Sequence, residues 1–103
     1  MSLPIPEAEI QALVDAALTT GLGDPGRRKI LLGNVNQRFV AGQLPAMAEP
    51  RTQVLSDIRR LAGVDRLADG SVPLRDWLEM AVALTAEREE SSVFRGILGR
   101  LAA

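Results

Sequence analysis

Few side chains in this sequence could do chemistry, and most of them fall in short clusters. Glu87, Glu89 and Glu90 gather in one stretch, and paired carboxylates can perform acid–base work. No second cluster is placed to converge with them, and hard cations need oxygens from several positions. They precede a segment with helical periodicity, where the helix dipole stabilises acids. The reading is therefore an acidic helix start. The stretch Gly21-Leu22-Gly23-Asp24-Pro25-Gly26 is glycine-rich. It lacks the preceding strand and the lysine-serine ending of a phosphate loop, so it reads as a helix stop followed by a helix start. Leu55-Ser56-Asp57 has the residue types of a carrier-protein attachment site in the wrong order, because the attachment serine there follows an aspartate. Ser56 reads as a small residue on a helix. Trp77 could stack a ligand, but it shares a helical register with Leu74, Leu78 and Ala81. That stripe assigns it to a core.

Composition narrows the choice further. The 103 residues include no cysteine and no histidine. Disulfides, thiol chemistry, cysteine or histidine metal sites and the imidazole proton shuttle are all excluded. Phe39, Trp77 and Phe94 are the only aromatics. No catalytic residue, no cofactor and no metal site is expected.

The charges carry more information. There are 12 basic and 13 acidic residues, for a net charge of −1. Lys29 is the sole lysine, so the cations are almost all arginine. Arginine favours planar, bidentate contacts and is enriched at interfaces. Arg27, Arg28 and Lys29 form one basic group, placed in the first turns of an expected helix, where cations oppose the dipole. Arg59 and Arg60 form a second, with Arg66 soon after. Glu87, Glu89 and Glu90, with Asp76 and Glu79 upstream, form an acidic counterpart. Single surface charges do little. As a set, Arg27, Arg28, Lys29, Arg59, Arg60, Arg66, Glu87, Glu89 and Glu90 are the candidates for a protein-interaction surface. Such a chain could pair with copies of itself or with a relative. The basic excess of a nucleic-acid binder is absent. Arg59 and Arg60 still motivate an alternative, a small helical nucleic-acid-binding regulatory module, though no helix-turn-helix pattern accompanies them.

The elements that must position these charges read as helices throughout. Ile10, Leu13, Val14, Ala17 and Leu18 form the stripe of helix one, with Pro6, Glu7 and Glu9 at its start and Gly21 and Gly23 at its end. Asp24 caps helix two, which runs from about Pro25 to Leu32 and stops at Gly33-Asn34. Asn36 caps a short helix three with Phe39, Val40 and Leu44 inward, ended by Pro45. Helix four starts at Pro50, buries Val54, Leu55, Ile58, Leu61 and Ala62, and ends at Gly63. Arg66 to Ser71 is a connector with an Asp-Gly turn. Helix five starts near Pro73 and buries Leu74, Trp77, Leu78, Ala81, Val82 and Leu84. Helix six starts near Glu90 or Ser91, with Phe94, Ile97, Leu98 and Leu101 as its stripe. The expected fold is all-α, a compact antiparallel bundle of about six short helices. Met1 to Pro6 has no signal-peptide pattern, and no apolar run is long enough to span a bilayer. A cytoplasmic protein with no membrane contact is expected.

One string then points to a family. Leu67-Ala68-Asp69-Gly70-Ser71-Val72-Pro73-Leu74-Arg75-Asp76-Trp77-Leu78 resembles a segment of bacterial effector-associated domains, which belong with the death-like adaptor domains. In the same order, Glu9 to Leu18 resembles their first helix, and Arg38 to Pro45 resembles their "F-V-x-x-L-P" element. Val54 to Ile58 and Ser92 to Arg95 with Leu98 resemble later pieces. The likeness spans residues 5–101 as one domain. It implies a death-fold-like six-helix bundle without catalytic residues. It also implies an adaptor role: coupling an effector such as a protease, nuclease or TIR module to a sensor through like-with-like contacts, in a bacterial conflict or anti-phage system. The partner implied is a protein carrying a similar death-like domain, with self-association as one form of that pairing and no nucleic acid involved. The chain would then be an isolated adaptor or a domain cut from a longer protein.

Overall fold

Three of the six helices open on a proline at their first position, where its missing N–H is not needed and its fixed φ already suits the helix. The computed structural model describes residues 5–102. Met1 to Pro4, which belong to the stretch read above for a leader, lie outside them. In chain order the helices are α1 (Glu7–Thr19), α2 (Pro25–Leu31), α3 (Gln37–Gln43), α4 (Pro50–Ala62), α5 (Pro73–Leu84) and α6 (Ser91–Ala102). A 3-10 turn, Leu32–Asn34, follows α2 directly. No strand occurs among the described residues.

Side-chain caps fix where helices begin. Asp24 accepts from the backbone N–H groups of Gly26 and Arg27 at 3.0 and 3.2 Å. Asn36 accepts from Arg38 and Phe39 at 3.0 and 3.1 Å. Glu49 caps α4, accepting from Arg51 and Thr52. Each satisfies donors that have no partner inside the helix, and each cap contributes about 1 kcal/mol. The Glu49 cap has no counterpart in the sequence reading. At the other end of α1, Gly21 has φ +79°, a left-handed conformation that suits a residue without Cβ.

Buried side chains from all six helices and their connections form one cluster. Leu13, Val14 and Ala17 of α1, Ile58 and Leu61 of α4, Leu78 and Ala81 of α5 and Phe94 of α6 are all fully sealed from solvent. Burying a side chain of this size is worth about 1.5–3 kcal/mol. The chief packing partners are α5 with α6 and α1 with α4, and α1 also contacts α6. Trp77 is only 2% exposed, and its ring meets Phe94 edge to face, with centroids 5.9 Å apart. Two buried hydroxyls are satisfied locally. Thr20 and Thr85 donate to the carbonyls of Ala16 and Ala81 at 2.8 and 2.7 Å.

Several expectations need correction. α2 stops at Leu31, and the chain tightens into the 3-10 turn there. In so short a helix Arg28 and Lys29 fall in the last turn, where the dipole favours cations instead of opposing them. Leu84 is 37% exposed although it keeps phase with Trp77 and Ala81. It is the final residue of α5, and the chain turns away immediately after it. Val40, Leu55, Ala62, Val82, Leu98 and Leu101 do pack against the core as their stripes predict, but are only half-buried. Leu22, Leu31, Leu32 and Val35 are core residues that the helical stripes did not identify.

Candidate protein-interaction site

The structure sorts the nine candidate charges by what each already touches. Arg28 is drawn into the fold. Its Nε donates to Asp57 Oδ2 at 2.7 Å, and its Nη2 donates to Asp57 Oδ1 at 3.1 Å and to the Leu44 carbonyl at 3.0 Å. Gln53, one turn before Asp57 on α4, donates to Asp57 Oδ1 at 2.9 Å and to the Pro45 carbonyl at 3.1 Å. Its own oxygen accepts from the Met47 N–H. The network ties α2, α4 and the chain after α3 together. Asp57 is 3% exposed and the Arg28 side chain 19%. A charge pair this deep persists only when its hydrogen bonds are met, as they are here. Arg28 therefore serves as a structural tie, which the grouping of Arg27, Arg28 and Lys29 does not reveal.

Arg59 reaches back to Glu7 of α1. A hydrogen bond from Gln11, and then the one from Arg59, hold the Glu7 carboxyl below its ordinary pKa. Glu90 pairs with Arg88 at 2.8 Å, and that bond lowers its carboxyl likewise. Arg51–Asp15 at 3.1 Å and Arg100–Glu9 are further exposed pairs that join α1 to α4 and α6. Arg27, Lys29, Arg60, Arg66, Glu87 and Glu89 are exposed and make no ion pair among the described residues. Arg59 and Arg60 border a shallow open depression of about 410 Å³, which Thr52, Leu55 and Ser56 also line.

Trp77 offers no platform for a ligand. The void beside it, shared with Leu22, Leu31 and Val54, is about 10 Å³, no more than one water could use. No group of His, Cys, Asp or Glu among the described residues could hold a metal ion. No described helix is long and apolar enough to cross a membrane.

The Asp-Gly-Ser motif has a structural explanation. Asp69 accepts from the Ser71 N–H and hydroxyl at 2.9 and 2.6 Å, and from the Asn36 amide at 2.8 Å. These bonds, Ser71's first, pull its carboxyl down to about 2. Gly70 has φ +88°, which its neighbours could adopt only with strain. The Leu67 N–H donates to the Ser71 carbonyl at 2.8 Å and closes the turn. Asn36 thus caps α3 with its oxygen and holds the turn before α5 with its nitrogen. The string is a device for turning the chain into α5.

No curated protein and no solved structure matches the chain. The profile of effector-associated domain 5 matches residues 5–103, nearly the full length and including the strings noted above. The chain is a member of the effector-associated domain 5 family.

Proposed function

We propose that this domain is a non-enzymatic adaptor that brings an effector to its partner through contact between helical domains. The family membership carries the reading. The packing supports it: the aromatic rings lie in the core, the void beside Trp77 is smaller than any substrate, and charged groups remain on the outer faces. In this reading the effector is a module such as a protease, nuclease or TIR domain. The partner is a protein carrying a similar, death-like domain, and the setting is a bacterial conflict or anti-phage system in the cytoplasm.

Co-purification of the chain with the products of neighbouring genes tests the proposal, followed by titration of each captured protein. Direct, saturable binding to a domain of the same kind is expected. Binding that instead requires nucleic acid, and that falls steeply with salt as phosphate contacts do, would overturn the adaptor reading in favour of a nucleic-acid module. Failure to bind any protein, including itself, would also contradict it.

A further inference from the structure

A hollow of about 190 Å³ opens between the start of α2, the chain after α3 and the start of α4. Pro25, Ala46, Met47, Ala48 and Pro50 make its apolar wall. Met47 leaves 38% of its surface to solvent, and its unbranched thioether adapts to what it touches. Two polar side chains, Arg28 and Gln53, also line the hollow. Gln53 is already engaged: its nitrogen donates to Pro45 and Asp57, and its oxygen accepts from the Met47 N–H. Arg28 is engaged only in part. Its Nε and Nη2 hold Asp57 and the Leu44 carbonyl, while Nη1 makes no hydrogen bond among the described residues. No buried side-chain nitrogen or oxygen among these residues lacks a partner, so Nη1 reaches solvent. Arg28 also lines the void beside Trp77, but that space holds one water at most. The hollow is where Nη1 can meet a larger molecule.

The geometry points to a binding site for a compact, neutral, ring-bearing molecule with a carbonyl oxygen, such as an aromatic amide or ketone. Size sets the first requirement. An apolar cavity of about 150 Å³ holds benzene, so this hollow takes one ring with a small substituent. The open N–H sets the second, because a guanidinium only donates and the ligand must accept. The same guanidinium already takes one carbonyl, that of Leu44, through Nη2. Neutrality follows from Asp57, which meets the charge of Arg28, the one charged residue among those lining the hollow. A carboxylate would lose hydration with no unbalanced cation to offset the loss, and an ammonium would face a donor. A ligand seated there touches α2, α4 and the chain between α3 and α4, the same three parts that Arg28, Gln53 and Asp57 tie together. Such a site does not depend on the adaptor reading.

Titration of the isotope-labelled full chain with benzamide, followed by two-dimensional NMR, tests this. Saturable shifts are expected at the backbone amides of Gly23, Ala46, Met47, Ala48 and Gln53 and at the Arg28 side-chain N–H, with a Kd of about 1 mM or tighter. The melting temperature should rise with benzamide concentration, as it does for any ligand that only the folded chain binds. Benzoate and benzylamine put a charge on the same ring, and each should bind at least about fivefold more weakly. Met47→Ser removes apolar wall, and Ala48→Phe supplies a ring from the chain itself. Both positions are exposed, so unchanged helical spectra serve as the folding control. Each variant should weaken benzamide binding by about fivefold or more. An Arg28 variant is no test, since its loss strands Asp57. No saturation up to about 20 mM, shifts confined to residues away from the hollow, benzoate binding as well as benzamide, or two variants that bind like wild type would each overturn the site. N-acetylphenylalaninamide carries the ring and carbonyl on a peptide unit. If it binds about tenfold more tightly than benzamide, the occupant is a peptide residue and the small-molecule assignment fails. If benzamide does not bind and a partner domain does, the site fails and the adaptor reading survives.

Discussion

Arg28 and Asp57 show how one side chain can look like surface and act as structure. They are 29 positions apart in the chain, and no local spacing rule joins residues so distant. Arg28 stands in a basic run and Asp57 on an amphipathic helix whose sequence places no partner near it, so neither advertises burial. The pair is deep enough that losing one partner strands the other. Asp57→Ala and Arg28→Ala should each destabilise the fold by about 3–5 kcal/mol, measured by urea unfolding. Replacing both with apolar residues of similar size should cost far less. Charge reversal at Arg28 would therefore report unfolding and not the loss of a surface contact. Asp69 gives a second prediction at this scale. Its carboxyl is depressed to about 2 in the fold. The stability it supplies is therefore present above its unfolded pKa of about 4 and is lost as pH falls toward about 2. Asp69→Asn should melt below wild type at neutral pH, and the gap should close across that acid window. A gap that persists unchanged at pH 2 would contradict the role given to Ser71 and Asn36.

At the scale of the elements, the readable features were those with local causes. Asp24 and Asn36 were legible as caps because a cap acts on the two or three residues that follow it. Prolines at 25, 50 and 73 marked starts for the same reason. Leu84 departs from its stripe because periodicity gives phase and not whether a neighbour exists at that height. The core role of Leu22 and Val35 is not legible in the sequence because they lie between helices, where no period applies. Asn36 joins two elements, so its loss should exceed that of an ordinary cap. Asn36→Ala should cost at least the usual ~1 kcal/mol, while Arg38→Ala, exposed on α3, should stay within about 0.5 kcal/mol. Thermal melts of the two variants side by side would check that ordering.

The whole molecule is held by its core and not by its surface pairs. Phe94 is fully buried and packs against Trp77, so Phe94→Ala should cost about 3–5 kcal/mol. Arg51–Asp15 is exposed on both sides, and Asp15→Asn should change stability by less than about 1 kcal/mol. Of the candidate surface, the charges are legible in the sequence, but only the fold separates Arg28, Arg59 and Glu90, which have ion-pair partners, from Arg27, Lys29, Arg60, Arg66, Glu87 and Glu89, which have none among the described residues. That Ile30 and Leu84 are exposed is set by the fold and is not legible in the sequence. What remains outside is a helical surface carrying charges with no ion pair among the described residues. The most direct test is calorimetric titration of this chain with an effector-associated domain encoded beside it. The account predicts saturable binding with nucleic acid absent, and no turnover of any small molecule. Absence of binding to every such domain and to itself, in a folded chain, would contradict it.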